Sequence, residues 1–239
     1  MAVQANLYRP DIHVNSFLIR ALSALILAPV VLFAVYNGGL FFQIIMLAAL
    51  VIALKEWLNM CHVETEGDNQ TNWVWFLPGC LYIFLSLISL YWLRISSQSG
   101  HITLFWLLAV VWAADTGAYL FGSTIGGPKL SPTISPNKTW AGFIGALISA
   151  ALVGFITSFI YQENSVNWNL ILISIMLGAL SQMGDLLESY AKRHFGIKDS
   201  GSIIPGHGGV LDRIDGLMAA AMGAGILIYL EMGLNSIWR

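Results

Sequence analysis

An all-α bundle of helices spanning a membrane is the fold this sequence predicts, on three observations. Hydrophobic residues make up 57% of the 239 and charged residues only 10%, with a mean hydropathy of +0.72; a soluble domain carries roughly a quarter charged residues. Apolar runs near the length of about 20 residues needed to cross a bilayer recur along the chain. The remaining charge is gathered: nine formal charges fall within the 31 residues from Asp185 to Asp215, between two strongly apolar runs. A net charge of −2 leaves no basic patch for nucleic acid. Cys61 and Cys80 are too few and too far apart for a metal knuckle or an indicated disulfide, and read as packing residues.

Residues 1 to 18 form a mixed polar arm. The run Ile19 to Tyr36 is too long for a signal-peptide core and lacks a small-residue cleavage pattern, so it reads as a retained first span. Asn37-Gly38-Gly39 is a tight turn. The second span starts at Leu40 and ends near Lys55-Glu56-Trp57, where the indole suits the membrane interface. A polar loop over residues 60–72 precedes a third span, Trp73 to Leu93, with Pro78-Gly79 as a candidate kink. The fourth, Ile102 to about Phe121, carries Asp115, and a buried acid within a membrane helix is a functional candidate or an interhelical hydrogen-bond partner.

A long loop over 122–139 contains Ser135-Pro136-Asn137-Lys138-Thr139, whose hydroxyls, backbone N–H groups and Lys138 ammonium suit a phosphate; the same residues also suit an ordinary helix cap. Trp140 to Tyr161 and Trp168 to about Leu187 are the fifth and sixth spans, and about Val210 to Met232 the last. Small residues at Gly178-Ala179-Leu180-Ser181 and Ala219 to Gly225 suit close packing between helices and leave room for a homodimer. The expected count is about seven spans, or eight or nine if segments are split. Residues 19–101 then form N-terminal membrane helices, and 102–239 a catalytic membrane domain with its cleft on the cytoplasmic face. Seven spans place nine of the eleven basic residues on one side, with only Arg94 and Arg239 opposite, so that side is expected to be cytoplasmic.

Within the charged block, helical spacing puts Asp185, Ser189 and Lys192 on one face at i, i+4 and i+7, and Asp212 and Asp215 together at i and i+3. Between them, Pro205-Gly206-His207-Gly208-Gly209 allows positive φ and close approach of a ligand to backbone N–H groups. Paired carboxylates beside cations suit Mg²⁺ bound to phosphate, because Mg²⁺ takes one or two carboxylates and fills its shell with water and phosphate oxygens. The plainer reading is a solvated loop whose Lys192, Arg193 and Lys198 obey the positive-inside rule. Against it stand Asp212 and Asp215, which enter an apolar helix where a carboxylate costs free energy.

Ser189, Lys192-Arg193, Lys198-Asp199, Pro205, His207-Gly208-Gly209 and Asp212-Arg213-Ile214-Asp215 fall in an order and spacing that resembles the CDP-diacylglycerol synthases, or phosphatidate cytidylyltransferases. A second block, Asp115-Thr116-Gly117-Ala118-Tyr119 through Ser135-Pro136-Asn137-Lys138-Thr139-Trp140, is similar to that family too. The resemblance covers about 125 residues from Val111 onward; Ala141 and Ala191 depart from its usual residues. It implies CMP transfer from CTP to phosphatidic acid, giving CDP-diacylglycerol and pyrophosphate, at the inner membrane of a bacterial-type cell.

The roles it implies are Asp185, Asp212 and Asp215 for Mg²⁺, with room for a second cation. Lys192, Ser189, Asp212 and Asp215 are expected to act in catalysis. Lys138, Ser135, Thr139, Asp115, Arg193, Lys198, His207, Gly208, Gly209 and Arg213 are expected to hold substrate, His207 as a loop hydrogen-bonding residue before a metal ligand. A cation-coupled transporter with intramembrane aspartates is the alternative; it commonly shows an inverted repeat, and none is evident.

Overall fold

The computed structural model describes residues 12–65, 68–161, 166–206 and 208–230. Among them, seven helices run in chain order: α1 (Ile12–Asn37), α2 (Gly39–Cys61), α3 (Trp73–Ile95), α4 (Gly100–Thr124), α5 (Trp140–Tyr161), α6 (Trp168–His194) and α7 (Leu211–Tyr229). Five of them, α2 to α6, are long and apolar enough to cross a membrane. In α1 the apolar stretch is shorter, Leu25–Asn37, and α7 opens on Asp212, Arg213 and Asp215. The protein is an integral membrane protein by this architecture, since a helix satisfies its own backbone hydrogen bonds in lipid.

The exterior is apolar. Leu25, Phe33, Leu40, Leu47, Val74, Leu152, Leu172 and Ile226 all lie exposed around the bundle, where acyl chains and not water would meet them. Inside, helices meet through small residues. A Cβ on Gly117 of α4 would stand 2.6 Å from the Gly145 carbonyl of α5, and one on Gly184 of α6 would stand 2.6 Å from the Asp215 carbonyl of α7. These backbones touch directly, so no larger residue fits. The faces of α6 and α7 that left room for a homodimer are thus filled within the chain: Gly178 meets Ala150, Gly216 meets Ser181 and Gly223 meets Leu180. Asp115 and Asp185 lie beside the crossing glycines Gly117 and Gly184, and Asp215 lies at the crossing of Gly184 itself.

Several boundaries differ from the sequence expectation. Helix α1 begins inside the stretch read as a polar arm. Helix α6 runs on to His194, two turns past Leu187, with Lys192, Arg193 and His194 in its last turn, where cations favour the negative end of the helix dipole. Both long polar loops contain antiparallel hairpins, β1 (His62–Thr65) with β2 (Asp68–Thr71) and β3 (Lys129–Ser131) with β4 (Ser135–Thr139). Helix α3 continues through Pro78, with the Trp57 indole lying on Gly79 and donating to the Phe76 carbonyl at 3.1 Å. Arg94 folds back onto α1 and donates to the Val35 and Tyr36 carbonyls at 2.7 and 3.1 Å, closing the end of that helix.

Candidate active site

A cavity of about 460 Å³ opens between α4, α5, α6 and the β3–β4 hairpin; its walls are largely apolar, and Asp115, Lys138, Thr139, Gln182 and Asp185 are among the residues that line it. Its cation and acid are paired: Lys138 Nζ stands 2.7 Å from Asp185 Oδ2, with the side chains 19% and 34% exposed. Among the described residues this ion pair is the ammonium's one close polar partner. Asp185 also accepts from the Ser189 hydroxyl at 3.3 Å, as expected for neighbours one turn apart. Across the cavity, Gln182 Nε2 donates to Asp115 Oδ1 at 2.9 Å. Asp115 of α4 is thereby joined to α6 by an interhelical hydrogen bond from an amide. Asp115, Asp185 and Asp215 lie close enough for their charges to act on one another.

A second cluster lies deeper. Lys192 Nζ donates to Asp212 Oδ1 at 2.6 Å and stands 3.1 Å from Glu188 Oε1; its side chain is 11% exposed and those of Asp212 and Glu188 are 5% and 6%. The other oxygen of Asp212 accepts from Ser200 N and Gly209 N at 2.9 Å each and from Ser200 Oγ at 3.0 Å. Short charge-assisted bonds of this kind, out of water, hold a side chain in one place. Both oxygens of Asp212 are thus engaged. Asp215, by contrast, accepts from its neighbour Gly216 N at 2.7 Å.

The remaining expected residues divide. Lys198, Gly208 and Arg213 line a cavity of about 600 Å³ over the loop, together with Asp199, Gly201 and Ser202. Gly208, at φ +83°, supplies the left-handed turn read from the sequence. Gly209 is at the Asp212 cluster. Thr139 is buried and its hydroxyl accepts from Gly142 N at 3.1 Å, so it caps α5 at the edge of the first cavity. Ser135 sits in β4 opposite Ser131 and does not line the cavity. Arg193 is exposed and donates to the Ile197 carbonyl at 2.9 Å. His207 lies outside the described residues.

Three polar residues of the site had no role assigned from sequence. Gln182 directly follows the small-residue run Gly178 to Ser181 and carries no charge to mark it. Glu188 stands four residues before Lys192, a spacing that signals an ion pair on a helix. Glu56 is 2% exposed on α2 yet reaches α7 and the loop before it. Its signal was available too, since an acid at the end of an apolar run needs partners as much as Asp115 does.

Among the described residues, no three His, Cys, Asp or Glu side chains come close enough to hold a metal between them. The donor set still suits Mg²⁺, which needs only one or two carboxylates. Asp185 and Asp215 offer hard oxygen donors within electrostatic range of each other.

The fold and site define a helical membrane protein with a charge-lined cleft among lipid-facing helices. Residues 67–231 match the cytidylyltransferase family. Relatives named phosphatidate cytidylyltransferase include one from Brucella suis, 33% identical over 84% of this chain and 89% of its own length. Another, from Rickettsia bellii, is 37% identical over 88% and 90%. One from Staphylococcus saprophyticus is 48% identical over a narrower 59% of this chain and 54% of its own length. The chain belongs to the cytidylyltransferase family.

Proposed function

We propose that this chain transfers CMP from CTP to phosphatidic acid, yielding CDP-diacylglycerol and pyrophosphate, with its cleft on the cytoplasmic face of a bacterial-type inner membrane. The observation that carries the reading is the Lys138–Asp185 pair: a partly open ion pair at the wall of a cavity among helices with apolar outer faces. A cavity so placed gives a water-soluble triphosphate and a lipid headgroup a common meeting point. The family match and the relatives named above give the transporter alternative no support.

In the reaction an oxygen of the lipid phosphate forms a bond to the α-phosphorus of CTP, and the bond from that phosphorus to the bridging oxygen of pyrophosphate breaks. The attacking phosphate is already ionised, so alignment and charge neutralisation supply most of the catalysis. Lys138 releases Asp185 to meet a phosphate, and Ser189 follows as a hydrogen-bond donor. Two directions of the Lys192 ammonium are taken by Asp212 and Glu188; the third N–H is directed to the transferred phosphoryl group. Lys198 and Arg213, with Gly208 between, receive the nucleotide end over the loop. Asp185 and Asp215 would hold Mg²⁺, which when bound supplies charge neutralisation of the triphosphate; Asp212 would join them only by exchanging Lys192.

Membranes carrying the chain, given labelled CTP, Mg²⁺ and phosphatidic acid, are expected to form lipid-extractable label. A chelator should remove the activity and added Mg²⁺ restore it. Absence of lipid-linked cytidine under these conditions, with the protein folded, overturns the reading; flux of a solute without CTP would replace it with a carrier.

A further inference from the structure

We propose that Glu56 is a positioning residue for this reaction, the carboxylate that seats the start of α7 and the loop before it so that Asp212 meets Lys192. The proposal rests on the function proposed above. Glu56 lies on α2, outside the segment 67–231 that matches the family, and is 154 positions from its first partner.

Its two oxygens have separate tasks. Oε1 accepts from Val210 N and Oε2 from Leu211 N, each at 2.9 Å. These N–H groups belong to the beginning of α7, where the first donors of a helix have no partner within it and the dipole favours a negative charge. No side chain of the helix itself caps that end, and Glu56 arrives from another helix to do so. Among the described residues no cation pairs with Glu56, so the charge is balanced by these backbone donors.

The same carboxylate is linked to Asp212 through one hydroxyl. Ser200 Oγ stands 3.0 Å from Asp212 Oδ2 and 3.4 Å from Glu56 Oε2. A hydroxyl has one proton, so it favours the shorter bond to Asp212 and leaves Glu56 to hold the neighbouring backbone. Two glycines make the approach feasible. A Cβ at Gly201 would lie 2.7 Å from Oε1, and one at Gly209 would lie 2.7 Å from Oε2. Gly209 N and Ser200 N are the backbone donors to Asp212, so Glu56 packs against the residues that orient the partner of Lys192. A buried acid that merely stabilised the fold could cap any helix. This one caps the helix whose first turns carry Asp212 and Asp215.

The test compares the full-length chain with Glu56→Gln and Glu56→Asp in detergent, under the CTP and phosphatidic acid assay. Gln keeps the volume and one acceptor oxygen, so one α7 donor loses its partner. The expected result is a fall in kcat of about 10- to 100-fold, as small misplacements of reacting groups produce, while KM for phosphatidic acid stays within about threefold. Asp, which keeps both acceptors, should recover part of kcat. Hydrogen exchange at Val210 and Leu211 should quicken in the Gln variant. A Gln variant within about threefold of wild type per folded molecule overturns the proposal, as does a loss confined to KM. Should the Gln variant fail to fold, the Asp variant decides: reduced kcat in a folded protein supports the proposal, and an unchanged kcat sinks it. A wild type that forms no lipid-linked cytidine defeats the functional reading alone, and exchange at Val210 and Leu211 then decides whether Glu56 seats the helix.

Discussion

Two lysines of this protein each face an aspartate, and they are built for different work. Lys138 approaches Asp185 from a hairpin and the start of α5, with both side chains partly open to the cavity. Lys192 is enclosed by Asp212 and Glu188, and Asp212 is itself held by Ser200 and Gly209. An open pair exchanges its partner for a phosphate at small cost, because water screens part of its attraction. A closed pair cannot be split so cheaply, since removing one member strands charge in a low-dielectric interior. One lysine is suited to capture substrate and the other to hold the geometry into which substrate arrives.

The sharpest way to break this contrast is Lys192→Met. It leaves Glu188 and Asp212 buried without their cation, and should cost about 3–5 kcal/mol of stability, seen as a large fall in thermal midpoint in detergent together with undetectable turnover. Asp215→Asn should also abolish turnover, but with little change in thermal midpoint, because its hydrogen bond to Gly216 N accepts equally well at an amide oxygen. A variant with full activity would remove Asp215 from the proposed metal site.

Lys138→Gln is expected to lower kcat/KM by about 100-fold while changing stability by no more than about 1 kcal/mol. A loss of stability as large as that of Lys192→Met would mean the two pairs do not differ. Gln182→Leu removes the donor to Asp115 and should lower turnover by about threefold to tenfold, the worth of one ordinary hydrogen bond. At the small end is Arg193→Ala. Its exposed guanidinium serves the Ile197 carbonyl, so the rate should stay within about twofold, a change of roughly 0.4 kcal/mol; a larger loss would return Arg193 to the substrate site.

The helices were legible in the sequence because an apolar run near membrane length has few other solutions. Along α6 the spacing of Asp185 and Ser189 predicts neighbours one turn apart, and their hydrogen bond follows from it, while Lys192 on the same helix pairs with Glu188 and Asp212. The hairpins at 62–71 and 129–139 were not legible. Short polar strands gain their order from pairing across a turn, and neither the His62 to Thr71 register nor that of Lys129 with Thr139 leaves a periodic apolar trace. Thr139 looked equally suited to a phosphate and to a helix cap, and its buried hydroxyl is spent on Gly142. Lys138, one residue earlier, reaches the cavity.

From sequence alone came the membrane class, the two polar blocks and the local order of charges along each helix, because composition and a 3.6-residue period act within a single element. Tertiary structure decided which acid meets which base. Asp185 on α6 faces Lys138 on β4, Asp212 is used by Lys192 twenty positions away, and Glu56 caps a helix 154 positions away. Such pairings depend on how closely glycine-lined helices approach one another, a distance that no spacing along the chain encodes.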